Sequence, residues 1–146
     1  MSLVIPNVAE DRLLLELLDG GTAREDWSMR LYKTNVTPAE TDTAASYTVA
    51  DFTAYVNKTL TRTVNNGVTW ATIAQAAPSG GWSAEAAVAE SSYVAQVWSP
   101  GSSQTVYGMY LIGATSTLLI GAEIFSSAKA LESGDTLTVT PRFGLA

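Results

Sequence analysis

The stretch that decides the fold is QTVYGMYLIGATSTLLIGAEIFSSAKALESGDTLTVTPRFGLA, residues 104–146. Apolar and β-branched residues fill two runs, 105–113 and 117–125, and only Ala, Thr and Ser separate them. A third run follows the polar sequence ESGD at residues 132–135. Short polar turns between such runs are typical of antiparallel strands. The sequence therefore predicts a three-stranded antiparallel meander at this end of the chain.

The first two strands of this meander are apolar on both faces. Strict alternation would place Val106, Gly108, Tyr110 and Ile112 on one face and Tyr107, Met109 and Leu111 on the other. A strand of this kind is covered on both sides. One cover would be a second sheet, and the other would be the N-terminal helix or a neighbouring subunit. We therefore expect a homo-oligomer.

Glu123 is the only charged residue in this apolar pair of strands. A charge in such a position requires a partner if it is buried. The sequence offers Lys129 and Arg142 as candidate partners. Alternatively, Glu123 lies at an interface between subunits.

The remainder of the chain reads as further short strands. Residues 27–33 alternate apolar and polar side chains, residues 55–61 and 68–73 flank an Asn-Asn-Gly turn, and residues 93–98 precede Pro100. Residues 34–46 form a polar loop, and residues 47–52 fit either a short helix or a strand. Long crossings favour Greek-key or jelly-roll connections. We predict an all-β fold, an antiparallel β-sandwich of one domain over residues 22–146, with one N-terminal α-helix.

The predicted helix covers residues 8–19. Asn7 is a good N-cap with Glu10 three residues later, and Gly20 stops the helix. Its leucines span a wide apolar face. We expect the arm and helix, residues 1–21, to pack on the domain itself or on a neighbour, with packing on the chain's own sheet favoured.

Composition excludes several classes of function. The chain has 146 residues, a net charge of −6, and neither histidine nor cysteine. The excess of acidic groups disfavours binding to nucleic acid. No apolar run reaches the roughly 18 residues that span a bilayer, and the N-terminus does not resemble a secretory signal. Without catalytic or metal-ligand motifs, we expect no enzymatic activity, no metal site and no cofactor. Pairs of acids such as Glu25 and Asp26 are expected to be solvated loop residues.

Three tryptophans in the middle and C-terminal parts of the chain could stack on sugar rings. Trp70 and Trp98 fall in predicted strands, which favours the core for both. Trp82 follows two glycines and is the most exposed candidate. Packing in the core or in an interface is favoured over a sugar platform.

Several segments resemble small virion proteins of tailed bacteriophages. The resemblance rests on LVIPN at residues 3–7 with the leucine-rich helix, WSMRLYKTN at 27–35, TVYGMYLIGA at 105–114, and the closing GAEIFSSAKALESGDTLTVTPRFGLA from residue 121. It implies a capsid decoration, or cement, protein that is made in the host bacterial cytoplasm, binds the major capsid protein and resides on the virion surface. The alternative is a tail or fibre module that binds a host surface glycan.

A protein of this kind would require interaction surfaces and no reactive groups. The apolar helix, the N-terminal arm, the exposed tryptophan and the two-sided strands provide the candidates. The predicted interface residues are Leu3, Ile5, Leu14, Leu17, Leu18, Trp82, Tyr107, Met109 and Glu123.

Overall fold

A computed structural model describes residues 5–10, 25–62, 74–76 and 88–145. Within these ranges the chain is mostly antiparallel β-structure, with a helical turn at residues 7–10, which confirms the predicted all-β class with an N-terminal helix. The strands are β1 (Trp27–Tyr32), β2 (Lys58–Leu60), β3 (Ala74–Ala76), β4 (Val88–Ser92), β5 (Gln96–Trp98), β6 (Gln104–Gly113), β7 (Leu119–Leu131), β8 (Leu137–Val139) and β9 (Arg142–Leu145).

These strands form three sheets with the orders β2-β1-β6-β7, β3-β4-β9 and β5-β8. Trp27, Met29 and Leu31 on β1 point into the main core, as the period-two alternation predicts. The main core draws side chains from the four-stranded sheet, from β5 and, at its margin, from β8 and β9. The sandwich with Greek-key or jelly-roll connections stays a prediction.

The predicted meander is wrong in its third strand. β6 and β7 form the expected antiparallel hairpin, but β8 pairs with β5, and β9 pairs with β4. The reason lies in the turn after β7, where the Gly134 N–H donates to the Pro100 carbonyl at 3.1 Å. This bond directs the chain toward the segment around β5 and away from the open edge of β7.

Both faces of β6 and β7 are covered, as predicted, but the second cover is the chain's own loop. Residues 33–50, which we term the covering segment, place Tyr47 against Tyr32, Tyr110, Ile112 and Leu119 in a second buried cluster. The covering segment is fixed to β1 by hydrogen bonds of Lys33 N–H to Thr48 and of Ala50 N–H to Leu31, each 2.9 Å long. This face therefore provides no reason to expect a neighbouring subunit.

A bulge in β7 alters the predicted distribution of side chains between the two faces. Val106 pairs with Lys129 while Gly108 pairs with Ile124, so residues 125–128 are inserted opposite Tyr107 alone. As a result Val106 joins Met109 in the main core, and Tyr107 packs against the second cluster. The predicted strict alternation of side chains along β6 placed Val106 on the same face as Tyr110, and it fails opposite the bulge.

The N-terminal helical turn begins one residue earlier than predicted. The Glu10 N–H donates to the Pro6 carbonyl at 3.2 Å, so Pro6 occupies the position that the sequence assigned to Asn7. Pro6 and Ala9 are buried, and the Asn7 N–H donates to the Glu40 carbonyl in the covering segment at 3.0 Å. The start of the predicted helix therefore packs on its own chain, while residues 11–24 lie outside the described part.

Other predicted elements differ in detail. Residues 47–52 are neither helix nor strand, because a short 3-10 turn at Ala44–Ser46 leads to a single bridge between Val49 and Tyr32. The strand predicted at 93–98 is shorter and corresponds to β5. β2 pairs with β1, and its predicted hairpin partner at 68–73 lies outside the described residues. In the described part, no helix has the length and apolar character that a membrane crossing needs.

Candidate interaction surfaces

The structure assigns different environments to the predicted interface residues. Met109 is 3% exposed and belongs to the main core, so its side chain is unavailable on the surface of a single chain. Tyr107 is half-buried against the second cluster. Ile5 is partly buried. Leu3, Leu14, Leu17, Leu18 and Trp82 lie outside the described residues.

Glu123 is partly buried on β7, opposite Met109. Burial raises the pKa of its carboxyl above the ordinary value. Within the described part of the chain, neither Lys129 nor Arg142 forms an ion pair with it. The pairing that the sequence suggested is therefore not made, and Glu123 stays a candidate interface residue.

Trp98 is confirmed as a core residue. It is 2% exposed, and its indole N–H donates to the Val56 carbonyl at 2.8 Å. The Lys58 ammonium lies 5.4 Å from the centre of the Trp98 ring, within cation–π range. Trp98 therefore offers no face to a sugar, and Trp70 and Trp82 lie outside the described part.

The β5-β8 ribbon has an uncharged outer face with an exposed valine. Leu137 and Val139 pack toward the main core together with Trp98, so the opposite face presents Val97 and its partner Thr138. Val97 is 45% exposed, and Val94 just before the strand is 51% exposed. Residues 91–122 and 136–141 contain no charged side chain at all. In a chain with a net charge of −6, a surface of this kind is suited to contact with another protein.

Loops beside this ribbon are joined by hydrogen bonds. The Thr53 N–H donates to Ser102 Oγ at 2.9 Å, and the Gly101 N–H donates to the Thr53 carbonyl at 2.9 Å. The Asp51 N–H donates to Gln104 Oε1 at 3.0 Å, and the Asp51 carboxylate pairs with Lys33 at 2.6 Å. The ribbon is therefore supported on one side by a core and beside its first strand by connected loops.

Three buried tyrosines, Tyr32, Tyr47 and Tyr110, form a cluster that the sequence did not predict. The rings of Tyr47 and Tyr110 stack with centroids 5.1 Å apart, and Tyr32 lies 5.0 Å from Tyr47. The Tyr47 hydroxyl donates to the Asp42 carboxylate at 2.7 Å. Burial, followed by the charges of Glu123 and Asp42, raises the pKa of Tyr32 to about 12. These hydroxyls stay protonated at neutral pH, and the cluster attaches the covering segment to the sheet.

Glu25 was expected to be a solvated loop acid, and this expectation is wrong. Its carboxylate accepts the N–H groups of Thr115 and Ser116, each at 2.8 Å, and the Ser116 hydroxyl at 2.6 Å. The neighbouring Asp26 accepts the Arg62 N–H at 2.7 Å. Charge-assisted bonds of this kind are stronger than neutral ones. Both acids therefore hold the tip of the β6-β7 hairpin and the end of β2 in place.

No known family model matches the chain, and no curated protein matches its sequence.

Proposed function

We propose that this protein is a capsid decoration protein of a tailed bacteriophage, which binds across subunits of the major capsid protein and stabilises the head. The observation that carries the proposal is the outer face of the β5-β8 ribbon. There Val97 is exposed, and Val94 is exposed in the uncharged segment just before β5, while a buried core and hydrogen-bonded loops support the ribbon. Such a surface can bury apolar area without reorganising, which limits the entropy cost of binding.

The proposed role also agrees with the segments that resemble phage virion proteins. Two of those segments, residues 27–35 and 105–114, form β1 and β6 at the centre of the four-stranded sheet. The resemblance therefore lies largely in the scaffold. The role needs a stable scaffold and contact surfaces, and it assigns no catalytic step to any residue.

Attachment at several points would make modest contacts sufficient. Copies arranged about a symmetry axis of the shell bind as one unit, so the affinities of the individual contacts multiply. A homo-oligomer, with a trimer favoured over a dimer, is part of the proposal. Because the covering segment already covers the second face of β6 and β7, that face no longer argues for an oligomer. The proposed oligomer would form its contacts through other surfaces.

The direct test is to mix the purified protein with matching phage heads that lack it, pellet the heads, and heat them while DNA release is recorded. Co-pelleting together with a higher release temperature is the expected result. Absence of binding to heads, with binding to tails or to bacterial surface glycans on an array, would overturn the proposal in favour of a tail or fibre module.

A further inference from the structure

Arg30 lies on the outer face of the four-stranded sheet, at the boundary between covered and open surface. It alternates with Met29 and Leu31, which point into the main core, and it pairs directly with Tyr110 on β6. On the side of β2 the same face continues with Ser28 and Thr59, which are cross-strand partners. The covering segment packs over Tyr110, whereas Thr59 is exposed.

The described part of the chain supplies Arg30 with little hydrogen bonding for its charge. The Tyr110 hydroxyl interacts with the guanidinium, and Arg30 forms no ion pair with a described carboxylate. Its Nε is buried and has no hydrogen-bond partner among the described residues. A guanidinium has five N–H donors, and an unsatisfied buried donor in a native structure calls for an explanation. This is notable in a chain with 14 acidic and 8 basic residues.

From this arrangement we infer that Arg30, with the Tyr110 hydroxyl beside it and Ser28 and Thr59 on the open side, forms a binding site for a carboxylate. Since Nε is buried, the two Nη groups at the outer end of the planar guanidinium are the donors that match the two oxygens of a carboxylate. The hydroxyls of Ser28 and Thr59 can donate to the same anion. This site lies on the face of β1 opposite to the main core. The inference does not depend on the decoration role.

A carboxylate is favoured over a phosphate because the site has a single cation. A phosphate carries up to two charges at neutral pH and commonly selects clusters of Arg or Lys. Two other cations lie near β1 and β2, and both sit over rings of the main core on the opposite face, Lys58 over Trp98 and Arg62 over Trp27. The carboxylate can come from a second copy of this acidic chain or from a different protein, and the experiment separates these sources.

The test follows the Arg30 Nε–Hε signal by NMR while the full chain is titrated with sodium acetate, with sodium chloride at equal ionic strength, and with sodium phosphate. A saturable shift with acetate, with a dissociation constant on the order of 10 mM, is expected. Because Arg30→Gln removes the signal together with the site, affinity in the variants is read from the backbone amides of Ser28 and Thr59. Arg30→Gln abolishes acetate binding, and Arg30→Lys weakens it at least fivefold because the fork is lost. Lys129→Gln, which removes a cation elsewhere, leaves the affinity unchanged.

Equal shifts with acetate and chloride would overturn the inference, and tighter binding of phosphate than of acetate would overturn the assignment to carboxylates. If Arg30→Gln disturbs the fold, Tyr110→Phe serves as the second variant, with weaker acetate binding expected. Sedimentation velocity then identifies the source. Self-association that Arg30→Gln removes supports a second copy, whereas a monomer that binds the peptide acetyl-Gly-Glu-Gly-amide through Arg30 supports a separate protein.

Discussion

Gly108 shows how closely the second cluster packs against the sheet. A Cβ at this position would lie 2.2 Å from the Glu123 carbonyl oxygen and 2.4 Å from the Tyr32 hydroxyl. Because a backbone carbonyl cannot move aside cheaply, Gly108→Ala is expected to lower the free energy of unfolding by about 3 kcal/mol. Gly134→Ala is the control. A Cβ at residue 134 would contact no atom within 4 Å, but Gly134 has a φ of +94°. The substitution should therefore lower the free energy of unfolding by about 1 kcal/mol. Urea denaturation of both variants measures the difference, and equal losses would contradict the packing explanation.

The raised pKa of the Glu123 carboxyl predicts how the stability of the fold changes with pH. Burial raises the pKa of its carboxyl, so the folded state binds a proton more tightly than the unfolded state. The stabilising contribution is complete below the unfolded pKa of about 4.3 and is lost as the pH rises through the folded pKa. Glu123→Gln should therefore be more stable than the natural chain at pH 7, and the difference should shrink below pH 4. Thermal unfolding between pH 3 and pH 8 measures this, with the exposed Glu40→Gln as control.

At the scale of elements, the covering segment depends on the bond between Tyr47 and Asp42. Burial raises the pKa of Asp42, but hydrogen bonds from the Tyr47 hydroxyl and the Ala39 N–H outweigh it and hold the pKa below the ordinary value. A carboxyl with a depressed folded pKa contributes stability above its unfolded pKa of about 3.9. This contribution is lost as the pH falls through the folded pKa.

Tyr47→Phe keeps the stacked ring and removes the hydroxyl. It should raise the pKa of Asp42 and cost about 1 kcal/mol at pH 7, with a smaller loss at pH 2. Urea denaturation at the two pH values and a carbon NMR titration of the Asp42 carboxyl provide the measurements. Tyr107→Phe, which alters a half-buried tyrosine at the edge of the same cluster, should leave the Asp42 pKa unchanged. An unchanged Asp42 pKa in Tyr47→Phe would show that the hydroxyl does not control it.

The sequence predicts local structure well where one periodicity operates. The alternation along β1 correctly separates Met29 from Arg30, and the apolar runs locate β6 and β7. Nothing in residues 33–50 indicates a cover for the sheet, because residues 34–46 are polar without periodicity, and residues 47–52, which begin with Tyr47, fit either a helix or a strand. The bulge at residues 125–128 contains neither Gly nor Pro to mark it. The pairing of β8 with β5 depends on contacts between distant segments, which no local pattern contains.

For the whole molecule, the intrachain cover changes where contacts with other proteins are expected. The sheet faces around Tyr110 and Met109 are closed by the chain itself. Glu25 and Asp26 are used to hold the hairpin and β2 in place. Among the described residues, the exposed large apolar side chains are Val8, Val56, Val94 and Val97, and of these Val94 and Val97 lie in the run 91–122 that contains no charged residue. A contact surface is harder to predict from the sequence than the fold, since it depends on which apolar residues the tertiary structure leaves exposed.

The double variant Val94→Asp/Val97→Asp separates binding to heads from folding. Both valines are about half exposed, so the free energy of unfolding should change by no more than about 0.5 kcal/mol. Binding to phage heads should fall at least tenfold, because two charges would be desolvated in the contact. Ala128→Asp/Ala130→Asp adds the same charge at exposed positions of β7 and should bind as the natural chain does. Co-pelleting across a range of protein concentrations gives both affinities. Equal affinities for the two double variants would exclude the ribbon as the contact with the capsid, whereas a loss confined to the valine variant would identify it.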